Sequence, residues 1–337
     1  MKMQREILFI CGFSTLMVLL FILSISFGPV DIPLSRIWMI LTAQERSGAL
    51  VQILNQVRLP RSLAAMGVGM ALAASGTVLQ AVMQNPLAAP SLIGVNSGAA
   101  LTAMLLLAYF PGRPDLLTPA TFLGALFALG LIILITRYAP GGRSTLILAG
   151  IAVSALLGAG IDTLRLLHPE AMLGATGFMI GGIAGVTWST LRFALPWILG
   201  GLLAALLVGP LLNVISLGDE VALSLGVPVT PVRTLLLALA AILAGSSVAI
   251  AGLLGFVGLI VPHGARLLLG SDHRWLIPGA MLLGGSFVLG CDLVARLIFA
   301  PYELPVGILL SFIGGPFFIY LLIHQASGKA DAQGDES

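Results

Sequence analysis

The sequence predicts an all-α membrane protein of about ten transmembrane helices carrying an inverted internal repeat, and three observations lead there. Of the 337 residues, 58% are hydrophobic and 9% charged, with a mean hydropathy of +1.08; soluble domains carry about a quarter charged residues. Apolar runs long enough to cross ~30 Å of hydrocarbon recur along the chain. The 41 glycines and 19 prolines suit tightly packed, locally broken spans. Residues 1–325 read as a single transmembrane domain. Residues 326–337 carry Lys, Asp, Gln, Gly and Glu, and are expected to form a disordered cytoplasmic tail.

The first run, 7–27, follows Met1-Lys2-Met3-Gln4-Arg5 and imitates a signal peptide. Its apolar part exceeds the usual ~7–15 residues and no small-x-small cleavage site follows, so it is read as a retained first span. The second, 62–83, has no charge. It opens behind Gln56-Val57-Arg58-Leu59-Pro60-Arg61 and closes at Gln84-Asn85-Pro86-Leu87, and Gly67, Gly69, Ala71, Ala74, Ser75 and Gly76 let it approach other helices closely. Further spans fall at 92–109, 117–136, 145–167, 193–212, 234–253, 257–270, 276–297 and 306–325. The eighth is short and is expected to be broken at Val261-Pro262-His263, which is tolerable at membrane depth only against protein or a watery cavity.

Spans two to five and seven to ten repeat one plan of four crossings with a proline-containing break (Asn85-Pro86, Val261-Pro262). An odd number of crossings separates their starts, so the copies run in opposite senses, as in folds that place a transport path at the repeat interface. Orientation is not set by charge. With the amino terminus inside, Lys2, Arg5, Arg137, Arg143, Arg233, Arg266, Arg274 and Lys329 lie inside, and Arg36, Arg46, Arg58, Arg61, Arg113, Arg165, Arg192 and Arg296 outside, which is a tie.

Catalytic signatures are missing: there is no Gly-x-x-x-x-Gly-Lys-Ser/Thr loop, no His-Glu-x-x-His and no Cys-x-x-Cys. His168, His263, His273 and His324 are scattered, and Cys11 and Cys291 lie in apolar runs without ligand spacing, so no metal site is expected. A net charge of +2 without a basic cluster points away from nucleic acid. Within the spans, Asp162 and Asp292 precede Arg165 and Arg296 by three and four residues, on one helix face each. Local ion pairing and a proton relay both remain open for them. The polar stretch 213–228 is too short to span; Ser216 or Asp219 could cap a short helix presenting Val221, Leu223 and Leu225, ended by Gly226 and Pro228. Docking to a soluble partner and lying on lipid are both open.

Several motifs then occur in order: Arg58-Leu59-Pro60-Arg61, Gly69-x-Ala71-Leu72-Ala73-x-Ser75-Gly76, Gln80-x-x-x-Gln84-Asn85-Pro86-Leu87-Ala88, Pro90-x-Leu92-Ile93-Gly94-Val95-Asn96-x-Gly98 and Gly255-Phe256-x-Gly258-Leu259-x-x-Pro262-His263. Asp272-His273-Arg274, Asp292-x-x-x-Arg296 and Glu303-Leu304-Pro305-x-Gly307 follow. From Arg58 to the last span the chain resembles the FecCD-type permeases, membrane subunits of type II ATP-binding-cassette importers for ferric siderophores, haem and cobalamin.

The resemblance implies a ten-helix subunit of a bacterial inner membrane that pairs with a second copy or a paralogue around a central path. It implies two cytoplasmic ATPases that use the ATP, a periplasmic or lipid-anchored substrate-binding protein, and no cofactor or enzyme site on this chain. It assigns Arg58, Arg61 and Arg296 to pairing with carboxylates of the binding protein at an external rim, a role suited to the planar fork of arginine. Anchoring to lipid phosphate is the alternative. It places a cytoplasmic gate at Asn85, Pro86, Leu87, Ser144 and Thr145. It makes Ser216, Leu217, Gly218, Asp219, Glu220, Val221, Ala222, Leu223, Ser224, Leu225 and Gly226 the segment seated on the ATPases. The expected cargo is a ferric siderophore, with haem or cobalamin as alternatives within the family and a proton-coupled carrier using Asp162 and Asp292 as the rival outside it.

Overall fold

Apolar segments surrounded by lipid must satisfy their own backbone N–H and C=O groups, and a helix does so within one segment. The computed structural model describes residues 2–42, 44–139, 142–300 and 302–334, and no strand occurs among them. Its helices are α1 (Lys2–Ser26), α2 (Leu34–Leu41), α3 (Ala49–Gln52), α4 (Leu59–Met83), α5 (Val95–Tyr109), α6 (Leu117–Tyr138), α7 (Gly142–Leu167) and α8 (Pro169–Ile180). They continue as α9 (Trp188–Leu207), α10 (Gly209–Ser216), α11 (Asp219–Ser224), α12 (Val229–Ala251), α13 (Val257–Leu269), α14 (His273–Leu297) and α15 (Val306–Gly334). Every apolar run read from the sequence coincides with a helix. Among the described residues, seven helical stretches are long and apolar enough to cross a membrane, and Val95–Tyr109, Val257–Leu269 and Val306–Leu321 are shorter apolar helices beside them.

The end at which α1 begins is taken as lower. At the upper end Arg61 reaches Asp292 and Glu303, and Arg296 reaches Ser24. At the lower end Gln84 reaches Ile215, and Asp219 meets Arg143 and Arg233. Helix α4 therefore descends while α12 ascends, and α4–α7 and α12–α15 run in opposite senses. Their packing agrees. Helix α4 lies on α14 and α13, α12 lies on α6 and α5, and α4 and α12 lie on each other as the two most enclosed spans. Helix α1 is almost wholly peripheral.

Small residues set these approaches. A Cβ on Gly69 would stand 2.2 Å from the Gly284 carbonyl, and one on Gly76 would stand 1.9 Å from that of Gly258, so backbone meets backbone where α4 crosses α14 and α13.

The first break falls where expected, at Asn85-Pro86, and the second lies ahead of the expected Val261-Pro262. In the first half, residues 84–94 interrupt the chain between the left-handed Gln84 and Gly94; in the second, Gly252 and Phe256, both at positive φ, do so ahead of α13. Pro262 sits inside α13 without breaking it. Proline has no N–H for the carbonyl four residues back, and that carbonyl, on Gly258, accepts instead from Gln80 Nε2 of α4 at 3.4 Å. Arg266 Nη2 donates to Gln80 Oε1 at 3.0 Å and so orients the amide.

Three further expectations change. The sixth span ends at Leu207, and Gly209-Pro210 starts α10, because proline suits a helix's first turn. Residues 168–187, expected to be loop, contain α8, whose Ala171 and Ala175 pack with Met104 and Leu164. Residues 326–334, expected to be disordered, continue α15, and 335–337 lie outside the described residues.

Candidate functional site

At the upper end the arginines expected on an external rim are buried: Arg58 is 4% exposed, Arg61 5% and Arg296 2%. The physical reason lies in the helix that carries two of them. Residues Ala49–Met83 form one helical stretch with a π turn at Ile53–Arg58, so Arg58 and Arg61 lie well inside a helix rather than at its mouth. The wider turn falls just ahead of Pro60, whose ring would clash with the carbonyl four residues back in α geometry.

Each guanidinium is engaged within the chain. Arg58 donates to the carbonyls of Ile25 (2.8 Å), Ser26 (2.6 Å) and Val30 at the carboxyl end of α1, where the helix dipole favours a cation. Arg61 grips Asp292 through Nε (3.1 Å to both oxygens) and Nη2 (2.9 Å), and reaches the half-buried Glu303 through Nη1 at 2.6 Å. Arg296 lies 3.3 Å from Asp292 and donates to Ser24 Oγ at 2.8 Å. Asp292 is thus not merely the local partner of Arg296; it joins α14 to α4 across the two halves. Asp162 and Arg165 do form the local pair anticipated, at 3.0 Å on an exposed face.

The lower end brings together the residues expected to form a gate and the polar elbow. Gln84 ends α4 in the left-handed region, and Asn85 Oδ1 then accepts from the Leu87 N–H at 2.9 Å, an Asx turn that carries the chain through Pro86. Helices α10 and α11 form the elbow. Neither Ser216 nor Asp219 caps α11: the cap is Gly218, at φ +113, and Ser216 Oγ turns back to the Asn213 carbonyl. Asn213 is itself fixed, donating to Asp272 at 2.7 Å and accepting from the His273 N–H at 2.9 Å, which pins α10 to the start of α14.

Asp219 sits in the first turn of α11, where a carboxylate suits the helix dipole, and turns inward. Arg143 Nη2 donates to Oδ1 at 2.7 Å, and Arg233 Nη2 to both oxygens at 2.7 Å. These bonds, Arg233's first, hold the Asp219 carboxyl below its ordinary range. Ala222 faces inward and is buried, whereas Leu217, Val221, Leu223 and Leu225 are exposed. Gly226 and Val227 close the helix on the Leu223 and Ala222 carbonyls.

A cleft of about 490 Å³ between gate and elbow is lined by Gln84, Arg143, Ser144, Leu217, Gly218, Asp219, Glu220 and Val221. The structure therefore brings Ser144 against the elbow and binds the Asn85–Leu87 turn to it through Gln84, while Thr145 lies one residue further into α7. Gln80, Gln84, Arg143 and Arg233 escaped the sequence reading as site residues. Only the position of the glutamines in the Gln80-x-x-x-Gln84 motif signalled two of them. Among the described residues no group of three or more His, Cys, Asp or Glu side chains could hold a metal ion.

Two inverted halves of apolar helices, with an exposed helical elbow joined to the loop between the central spans, make up a membrane permease. The sequence profile of the FecCD transport family matches residues 16–324. The hemin transport system permease protein HmuU of Yersinia pestis is 40% identical over 321 residues, covering 94% of this chain and 95% of that protein. The iron(3+)-hydroxamate import system permease protein FhuB of Bacillus subtilis is 38% identical, covering 91% and 80%. A solved inward-facing structure, described as of the metal-chelate ABC transporter type, superposes with a TM-score of 0.83 at 33% identity, covering 94% of this chain and 98% of that one. The chain belongs to the FecCD transport family. It is accordingly the permease component of a metal-chelate type ABC importer.

Proposed function

We propose that this chain moves a bulky metal chelate, a ferric siderophore, across a bacterial inner membrane, paired with a second copy or a paralogue. Two ATPases bind the lower end through residues 216–226 and use the ATP, and a substrate-binding protein meets the upper end. The observation that carries the reading is the elbow. It presents Leu217, Val221, Leu223 and Leu225 outward, beyond what its own fold needs, and bonds inward to both gate segments. Four exposed leucine- and valine-sized side chains on a polar elbow that is tied inward by hydrogen bonds support a docking surface for a partner. Asn85, Pro86, Leu87, Ser144 and Thr145 form the gate that this input opens.

At the upper end the donors of Arg58, Arg61 and Arg296 are spent inside the chain. Their role in this reading is to brace α1, α4 and α14 beneath the surface on which the binding protein lands, with Glu303 as the part of the network nearest that surface. Haem, carried by the Yersinia relative according to its name, is the second cargo reading, and cobalamin the third. The proton-coupled carrier finds less support, since Asp292 accepts from Arg61 and is ion-paired with Arg296, and Asp162 lies on an exposed face.

The test is reconstitution in proteoliposomes with the neighbouring ATPase and binding protein, following labelled ferric siderophore, haem and cobalamin. Uptake that requires both ATP and the binding protein is expected, fastest for the siderophore. Uptake driven by a proton gradient without ATP would overturn the reading.

A further inference from the structure

We propose that Asp219 is a positioning residue that clasps the coupling elbow to the gate helix, rather than part of the surface that touches an ATPase. The proposal deepens the function proposed above and rests on it. Asp219 is placed for this by its neighbours. Gly218 takes φ +113, which an L side chain rarely adopts, and this turn swings the next residue inward while Leu217 stays exposed. The carboxylate then lies between two arginines from different helices. Arg143 is the second residue of α7 and immediately precedes Ser144 and Thr145; Arg233 lies in the first turns of α12, the central ascending helix.

Two features distinguish this from an ordinary surface ion pair. The first is that each arginine is gripped through Nη2 alone, while its Nε–H is buried without a protein partner. A side-on, bidentate seat on either guanidinium is therefore open to the same carboxylate. The clasp has a second arrangement available, and a two-state contact is what a displacement of α11 would need in order to reach α7. The second is that the elbow holds the other gate segment as well: Gln84 Nε2 donates to the Ile215 carbonyl at 2.8 Å, one residue before the Asn85–Leu87 turn. Both gate segments are thus tied to one short stretch of chain, each by the residue adjoining the gate.

The experiment uses the full importer in proteoliposomes, with three readouts on each variant: ATPase co-purification, ATP hydrolysis and chelate uptake. Asp219→Asn keeps the shape and removes the charge. It should leave co-purification intact and hydrolysis within about twofold, while uptake per ATP falls about tenfold, equivalent to ~1.4 kcal/mol. Arg143→Gln, which breaks one of the two arginine contacts, should lower uptake per ATP in the same direction, and the double variant should be no worse than Asp219→Asn alone, because that substitution already weakens the contact Arg143 makes. Asp219→Glu, which keeps the charge, should restore part of the coupling. Asp115→Asn, an exposed carboxylate on the far end paired with Arg113, is the control and should change nothing.

Unchanged uptake per ATP in Asp219→Asn would overturn the clasp, as would losses that simply add in the double variant. Loss of ATPase co-purification in Asp219→Asn would also overturn it, by making Asp219 a docking residue. A wild-type chain that neither binds the ATPase nor shows ATP-dependent uptake would instead sink the proposed function, and the clasp with it.

Discussion

Replacing Asp292 by Asn tests the upper network most sharply. The carboxylate is 1% exposed and accepts from Arg61 Nε and Nη2 and lies 3.3 Å from Arg296 Nε. An amide can replace one acceptor but neither the charge nor the second oxygen. Arg61 would keep Glu303, which is 31% exposed, and Arg296 would keep only neutral acceptors, Ser24 and the main-chain carbonyl of residue 292. Arg61 and Arg296 would then share one anion, Glu303. Breaking a buried pair by removing one partner costs about 3–5 kcal/mol, because an uncompensated charge stays behind. At roughly 2–4 °C per kcal/mol for a larger chain, the apparent Tm should fall on the order of 10 °C. The internal comparison is Asp162→Asn, whose exposed pair with Arg165 contributes at most ~1 kcal/mol. The assay is thermal unfolding of detergent-purified protein, followed by intrinsic fluorescence of the four tryptophans. An Asp292→Asn protein within about 2 °C of wild type would refute the reasoning, as would an equal loss in Asp162→Asn.

Gly76→Ala should destabilise by about 1–3 kcal/mol or more, because the new Cβ meets the Gly258 backbone and α4 and α13 must part. Gly130→Ala, with open space around its Cβ, should stabilise by ~0.5–1 kcal/mol, so melting shifts of opposite sign are the check. Leu223→Glu with Leu225→Glu should abolish ATPase co-purification while leaving the melting temperature unchanged, since both side chains are exposed. Leu87→Trp should slow uptake without altering ATPase binding, measured as initial rate at fixed ATP turnover; a wild-type rate would remove Leu87 from the gate. Asp219 makes a pH prediction. Its folded carboxyl is held low, chiefly by the Arg233 hydrogen bond. Its stabilisation is therefore fully present above the unfolded value of ~3.9 and is lost as pH falls through the lower folded value. The melting difference between wild type and Asp219→Asn should stay constant from about pH 8 to 5 and shrink only below ~4.

How far the sequence can be read differs between elements for physical reasons. The apolar runs announce themselves because each helix must satisfy its backbone and face lipid within one contiguous segment, so composition over some twenty residues is enough. The end of the short helix α11 was legible from Gly226 and Pro228, which are local punctuation, whereas its cap, Gly218, was not. Helix α8 was not legible, because it is only 12 residues long, too short to span, carries Gly174 and Gly177, and draws its stability from lying against α5 and α7. Pro262 misled for a similar reason: a proline signals a freed carbonyl, and only α4, 178 residues away from Gly258 at Gln80, supplies the replacement donor.

By itself, then, the chain determined its environment, its helices, the opposed sense of its two halves and its family, all of which follow from local hydropathy, parity of crossings and short motifs. Only the tertiary structure decided what the charged residues do. Arg61 and Asp292 lie 231 positions apart, and Arg143 and Asp219 lie 76 apart. No periodicity links such positions. Arg61 and Asp292 meet where Gly69 and Gly284 let the backbones of α4 and α14 touch, and Arg143 and Asp219 meet where the Gly218 turn sets α11 against α7. The arginines expected on an external rim are bonded inside the chain, and a carboxylate expected on a docking segment joins α11 to α7 and α12.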